Sequence, residues 1–219
     1  MRIGLFGGSF NPVHIGHLRA AEEIRGLCSL EKVIFIPTHI APHKPVRTLA
    51  SPQHRLTMLE LAIQDNRHFL VSDAELRRPG RSYSVETLRY FRAAFPEAEP
   101  FFIMGMDAFA EIDTWKNYRD LFPLCNFVVM TRPGYSVPPT EQIIPRMMAG
   151  EFSFSPEEKR YRHASGSSVF IADIPGLAIS AREIRRRVAQ GHSFTYLVPK
   201  AVEEYILQHK LYHNPDSSS

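Results

Sequence analysis

The sequence predicts an α/β fold: a Rossmann-like open parallel sheet with helices on both faces, in a single domain. Three observations carry this. Short apolar runs alternate with helical periodicities along nearly the whole chain, the order that builds a parallel sheet with crossover helices. The length of 219 residues suits one large α/β domain better than two. Apolar residues make up 44% and charged residues 22% of the chain, enough to bury a core inside an ordinary polar surface.

The elements follow in order. Ile3 to Phe6 is a short apolar run that ends in Gly7-Gly8, and a helical pattern then runs from Ile15 to Leu27, with Leu18, Ala21 and Ile24 at three-residue steps. Val33 to Ile36 reads as a buried strand stopped by Pro37, and a loop extends from Thr38 to Ala50. Ser51-Pro52, a capping serine with proline at the first helical position, opens a helix to about Asp65. Phe69 to Val71 is a strand, Val85 to Ala94 a helix, and Phe101 to Met104 and Phe127 to Met130 are strands with a helical stretch at Tyr118 to Phe122 between them. Val169 to Ala172 is a further strand, and helices span Ala181 to Gln190 and Lys200 to His209. Residues 1–212 are expected to form the domain, 134–168 to be an irregular insertion with a little helix, and 213–219 to be a flexible tail. No internal repeat is visible.

Bulk properties narrow the function classes. The formal charge of +3 and pI of 8.9 suit small anionic ligands and do not by themselves call for nucleic acid. Cys28 and Cys125 form no CxxC pair, so no disulfide framework or thiolate zinc site is read, and a reducing cytoplasm is the expectation. The apolar stretch after Met1 is too short for a signal peptide, and no apolar run approaches the roughly 20 residues that cross a bilayer.

The central motif is Gly7-Gly8-Ser9-Phe10-Asn11-Pro12-Val13-His14-Ile15-Gly16-His17, between the first strand and the first helix. Ligands of open parallel sheets bind beyond the carboxyl ends of strands, where a helix N-terminus offers N–H groups and partial positive charge to an anion. Glycines let the backbone approach a phosphate, and His14 and His17, three residues apart, neighbour one another on the first turn. Their N–H groups can donate to phosphate oxygens, and a protonated ring adds charge. The string is neither GxxxxGK[ST] nor GxGxxG. It resembles the signature of the nucleotidyltransferases with an HxGH motif, which bind ATP on a Rossmann-like sheet without a covalent intermediate. That resemblance implies ATP contacts from Gly7, Gly8, Ser9, Phe10 and His17. The family often has aspartate where this chain has Asn11, which bears on a turn contact.

A second constellation is Ile179-Ser180-Ala181-Arg182-Glu183-Ile184-Arg185. Ser180 with Glu183 three residues on reads as a capping box. As a cap alone Ser180 is structural; as a second helix N-terminus facing phosphates it is functional, and the two readings are compatible. The string is similar to the Ile-Ser-Ser-Thr-x-Ile-Arg motif of the same superfamily, whose serine and arginine contact ATP phosphates, so Ser180 and Arg185 are implied ATP ligands. Ala181 and Arg182 depart from it, which loses a hydroxyl. Arg186 and Arg187 read as a solvated face.

Other segments address the acceptor: Pro42-His43-Lys44-Pro45; Arg81-Ser82-Tyr83-Ser84-Val85-Glu86-Thr87; Met104-Gly105-Met106-Asp107 with Thr114-Trp115; Thr131-Arg132-Pro133-Gly134; and Leu197-Val198-Pro199 near the end. From Ile3 to Tyr212 the chain resembles the bacterial nicotinate-nucleotide adenylyltransferases. The resemblance implies adenylyl transfer from ATP to nicotinic acid mononucleotide. It assigns Trp115 to stack on the pyridinium ring and Ser84 to the helix start that holds the nicotinate carboxylate, where the family usually has threonine. His43, Lys44 and Arg132 would hold the mononucleotide phosphate, and Gly105 and Asp107 would meet ATP. Trp115 reads equally as a core aromatic, Ser84 as a plain N-cap, and Asp107 as a buried cap of the next helix.

The expected chemistry is in-line attack of the acceptor phosphate on the α-phosphorus of ATP, with His14, His17 and Arg185 as the catalytic groups, by positioning and charge stabilisation. Mg2+ is expected to arrive with ATP, held by phosphate oxygens and water and without a protein metal cage. No nucleic acid or membrane partner is expected, and a homo-oligomer is compatible with the sequence. The alternatives are the same chemistry on nicotinamide mononucleotide or another phosphate acceptor, a non-catalytic nucleotide sensor, and a metal site of His14, His17, His39 and His43.

Overall fold

The computed structural model describes residues 1–39, 49–131, 144, 150–158 and 160–213. Eight strands form one sheet in the order β3-β2-β1-β4-β5-β8-β7-β6. These are β1 (Arg2–Gly8), β2 (Lys32–Pro37), β3 (Phe69–Val71), β4 (Glu99–Gly105), β5 (Asn126–Met130), β6 (Phe152–Ser155), β7 (Arg160–His163) and β8 (Ser168–Ala172). All pairings from β3 across to β8 are parallel. The chain winds outward from β1 in both directions, so the order reverses between β1 and β4. In such a sheet the crevice for a ligand opens at that reversal, beyond the strands' carboxyl ends. Gly8 ends β1 and Gly105 ends β4, on either side of it.

The central strands are apolar at consecutive positions because both faces are covered. Along β2, Val33 and Phe35 enter one core and Ile34 and Ile36 the other. The first core takes α1 (Ile15–Leu27) through Ala21 and Ile24, and α2 (Pro52–Ile63) through Met58 and Leu59. It also takes α5 (Ala181–Ala189) through Ile184 and Val188, and α6 (Lys200–Gln208) through Val202 and Ile206. The second takes α3 (Ser84–Ala94) through Val85, Leu88 and Phe91, and the short α4 (Met106–Ala110) through Met106 and Phe109. The helix pattern at Tyr118–Leu121 is one turn of 3-10 helix.

Two elements depart from the sequence reading. Within the segment expected to be irregular, β6 and β7 form an antiparallel hairpin that pairs β7 against β8 and extends the sheet. Only Tyr161 of β7 is fully buried, so these strands lack the apolar run that marks the central ones, while Glu158 binds Arg160 and Arg162 along their polar face. The helix α4 begins directly at the end of β4, a short element to which the sequence reading gives no bounds.

Candidate active site

The glycine loop descends from β1 and turns at Phe10, whose φ of +43° lies in the left-handed region. This turn drives the Phe10 ring into the core against Phe6 and Phe35. The Phe10 side chain is therefore buried below the loop. Gly8 is explained the same way, since a Cβ there would lie 3.0 Å from the Phe10 ring. Gly7 has ordinary room for a Cβ, 3.9 Å from Phe102.

Asn11 performs the turn contact that its departure from aspartate had put at issue. Its buried Oδ1 accepts the Ala50 N–H at 3.0 Å and the Tyr212 hydroxyl at 2.8 Å. Its main-chain carbonyl accepts Arg185 Nη1 at 2.6 Å. An amide oxygen meets these bonds as a carboxylate oxygen would, and the loop is thereby tied to the start of α2, to α5 and to the end of the chain. Beneath it, Arg55 is 1% exposed and donates to the carbonyls of Ser9, His39 and Ala50 at 2.8, 3.4 and 3.2 Å.

His14 caps α1 and stacks on His17, with ring centroids 3.6 Å apart. The His14 N–H donates to His17 Nδ1 at 3.3 Å. A neutral His17 is thus fixed as the tautomer that carries its proton on Nε2. Burial pulls His14 down to about 4, so at neutral pH it is an uncharged imidazole. The charge that a protonated ring would add is therefore not supplied by His14 at neutral pH. Gly16 is the packing condition of the stack: a Cβ there would stand 3.0 Å from His14 Nδ1 and 3.7 Å from the Cβ of Ile179. The same close approach brings the Ile179–Arg185 segment beside the two histidines.

Ser180 caps α5, its Oγ accepting the Glu183 N–H at 3.2 Å. The capping box is only half present, because the Glu183 carboxylate accepts from Arg186 and Arg187 instead. Arg185, partly buried, reaches from the next turn to Asn11. Burial draws its guanidinium below the usual value, opposed by Tyr212 and reinforced by Arg182.

Beside this cluster lies a cavity of about 590 Å3 whose wall includes Gly7, Gly8, Ser9, Gly105, Ser84 and Trp115. Trp115 is half-buried, set edge-on against Phe102 and not enclosed in the core. Ser84 is the first residue of α3, and the cap position belongs to Tyr83. The plain N-cap reading of Ser84 is corrected accordingly: among the described residues, no hydrogen bond occupies the Ser84 or Val85 N–H, the two donors a helix start leaves open. Asp107 is exposed on the first turn of α4, whose cap is Gly105, so it is not a buried capping aspartate. His43, Lys44 and Arg132 lie outside the described residues. His39 turns its Nδ1 to the Gly80 carbonyl, 3.3 Å away. Sequence reasoning missed Thr38 and Glu75 on the cavity wall, while Thr114, quoted with Trp115 in the sequence, does line it. Glu75 sits in the charged run Asp73 to Arg78, which reads as a solvated surface, and nothing in its spacing marks it as buried.

The cytidylyltransferase-like family profile matches residues 5–187, most of the chain. The chain belongs to this family. It is 47% identical to the probable nicotinate-nucleotide adenylyltransferase of Geobacter sp. (strain M21), over 97% of this chain and 98% of that one. It is 44% identical to the protein so named in Geobacter sulfurreducens, over 97% and 98%. It is therefore a nucleotidyltransferase of the nicotinate-nucleotide adenylyltransferase group. The fold matches the nicotinic acid mononucleotide adenylyltransferase of Plasmodium falciparum, solved in complex with NaAD. That match has a TM-score of 0.73 at 17% identity, covering 96% of this chain and 97% of that one.

Proposed function

We propose that the chain transfers the adenylyl group of ATP to nicotinic acid mononucleotide, giving nicotinic acid adenine dinucleotide and pyrophosphate in NAD biosynthesis. The observation that carries the reading is a single cavity at the reversal of strand order. It joins the glycine loop and Gly105 on one side to Trp115 and the open start of α3 on the other.

The acceptor phosphate attacks the α-phosphorus of ATP in line, and the bond to the bridging oxygen of the β-phosphate breaks. The attacking oxygen is already anionic, so no general base is required, and catalysis rests on orientation and on donors aimed at developing charge. His17 Nε2–H, neutral His14, the open N–H groups at the Ser180 helix start and Arg185 supply those donors. Trp115 presents a face for the pyridinium ring, and the Ser84 and Val85 N–H groups suit its carboxylate. His43, Lys44 and Arg132 are assigned to the acceptor phosphate, and Asp107 to the ATP side.

The reaction uses a divalent metal, Mg2+ in this reading, that enters with the triphosphate. The groups around the histidine cluster are donors and not carboxylates, which suits phosphate oxygens and leaves the cation to those oxygens and water.

The test is to incubate the protein with ATP and nicotinic acid mononucleotide and to identify the products by chromatography and mass. One dinucleotide and one pyrophosphate per turnover are expected. ATP cleavage without a dinucleotide would refute adenylyl transfer.

A further inference from the structure

Glu75 is the buried charged residue of the cavity wall, and this chemistry leaves it unused. It is 5% exposed, whereas the other charged residues of that wall, Arg81, Glu111 and Lys116, are exposed to solvent. Lys116 is in addition paired with Glu86 at 2.9 Å and set over the Tyr83 ring. Exposed charges are weakened by the high dielectric of water and screened by salt over about 8 Å, while a buried charge is screened much less. Glu75 Oε1 accepts the Thr87 hydroxyl at 2.6 Å, but Oε2 is buried and has no hydrogen-bond partner among the described residues. The nearest cation, Arg78, stands 3.9 Å from Oε1 and is shared with Glu86 and the Thr87 hydroxyl. Burial pushes the Glu75 proton affinity up against the hydrogen bonds of Thr87 and Ser82 and the charge of Arg78. The protein thus places an undercompensated carboxylate in a wall shared with its one tryptophan.

We propose that Glu75 is a specificity-determining residue that recognises the positive charge of a pyridinium ring held in this cavity. This rests on the acceptor assigned above and deepens it. Nicotinic acid mononucleotide carries a cationic ring as well as an anionic carboxylate, and the two call for opposite partners. The N–H groups that start α3 serve the carboxylate, Trp115 serves the ring face, and the field of Glu75 serves the ring charge. The contribution is electrostatic across the wall and is shared by acid and amide, because both carry the same ring cation.

The test compares nicotinic acid mononucleotide with its reduced dihydropyridine form, which keeps the phosphate, ribose and carboxylate but loses the ring charge. In Glu75→Gln, nearly isosteric and uncharged, affinity for the pyridinium form should fall about tenfold. Affinity for the dihydropyridine form, the KM for ATP and the acid-to-amide ratio should each stay within about twofold. Equal losses on both ring forms would show that Glu75 only holds the wall in place, and an unchanged preference would show no role; either overturns the proposal. Should Glu75→Gln fail to fold, Arg78→Gln provides the opposite sign: removing the competing cation should strengthen the preference for the charged ring, and a weakened preference overturns the proposal. If the unmodified protein fails to turn over nicotinic acid mononucleotide with ATP, the proposed function fails. If it turns over and the Glu75 variant keeps full ring-charge discrimination, only this inference fails.

Discussion

At the scale of single residues, Gly16 decides how the two histidines meet. Alanine is the better helix former by roughly 1 kcal/mol, so Gly16→Ala on propensity alone should stabilise α1. Its Cβ would press on His14 Nδ1 at 3.0 Å, however, and the stack with His17 would have to open. The expected outcome is a thermal midpoint within a few degrees of the parent with turnover reduced at least tenfold, measured by differential scanning calorimetry and steady-state kinetics. His14 gives a second prediction. Its folded value of about 4 lies below its ordinary 6.5, so between those values the unfolded chain binds a proton that the folded chain refuses. This stability contribution is complete above pH 6.5 and is lost as the pH falls toward 4. The loss should be on the order of 2 kcal/mol at pH 5 relative to pH 8. Urea unfolding of the parent and of His14→Gln at both pH values checks this, and the variant should show a shallower decline. The motif itself was legible because two histidines, three glycines and a proline in eleven residues have few structural explanations. The burial of His14 and Phe10 was not, because it depends on the left-handed turn at Phe10 and on core residues that come later in the chain.

At the scale of elements, the starts of α3 and α5 carry the argument. Ser180→Ala removes the Oγ that accepts the Glu183 N–H and should cost about 1 kcal/mol in stability. A fall in kcat beyond that structural loss is expected if the same helix start faces phosphates; full turnover in the destabilised variant would make Ser180 a cap only. Ser84→Pro is the sharper probe. Because Ser84 is the first residue of α3 and Tyr83 is already extended, proline fits both the helix start and its predecessor; the N–H and the hydroxyl are lost, and Ser84→Ala, which loses the hydroxyl alone, separates the two. Circular dichroism should be unchanged, while kcat/KM for the acid mononucleotide should fall about tenfold or more and that for the amide should change little. Sequence placed both helices within a residue or so, since serine, proline and apolar spacing mark helix ends. It assigned the cap of α3 to the wrong residue, because an extended tyrosine without a capping side chain leaves no local signature.

At the scale of the whole molecule, the site is assembled by topology. Neither the glycine loop after β1 nor the Ser84 and Trp115 segments neighbour one another in sequence; the reversal between β1 and β4 brings them to one cavity. The parallel sheet was readable from its doubly buried strands, whereas the β6–β7 hairpin was not, because its strands are mostly polar and gain order by pairing with β8. Closure depends on the far end of the chain as well, where Tyr212 pins Asn11. The central claim is that this cavity takes a pyridine nucleotide bearing a carboxylate. It is tested most directly by kcat/KM from coupled pyrophosphate release with ATP, measured side by side on nicotinic acid and nicotinamide mononucleotides. The account predicts preference for the acid by at least tenfold, from charge-assisted hydrogen bonds at the start of α3; equal use of the two, or preference for the amide, would contradict it.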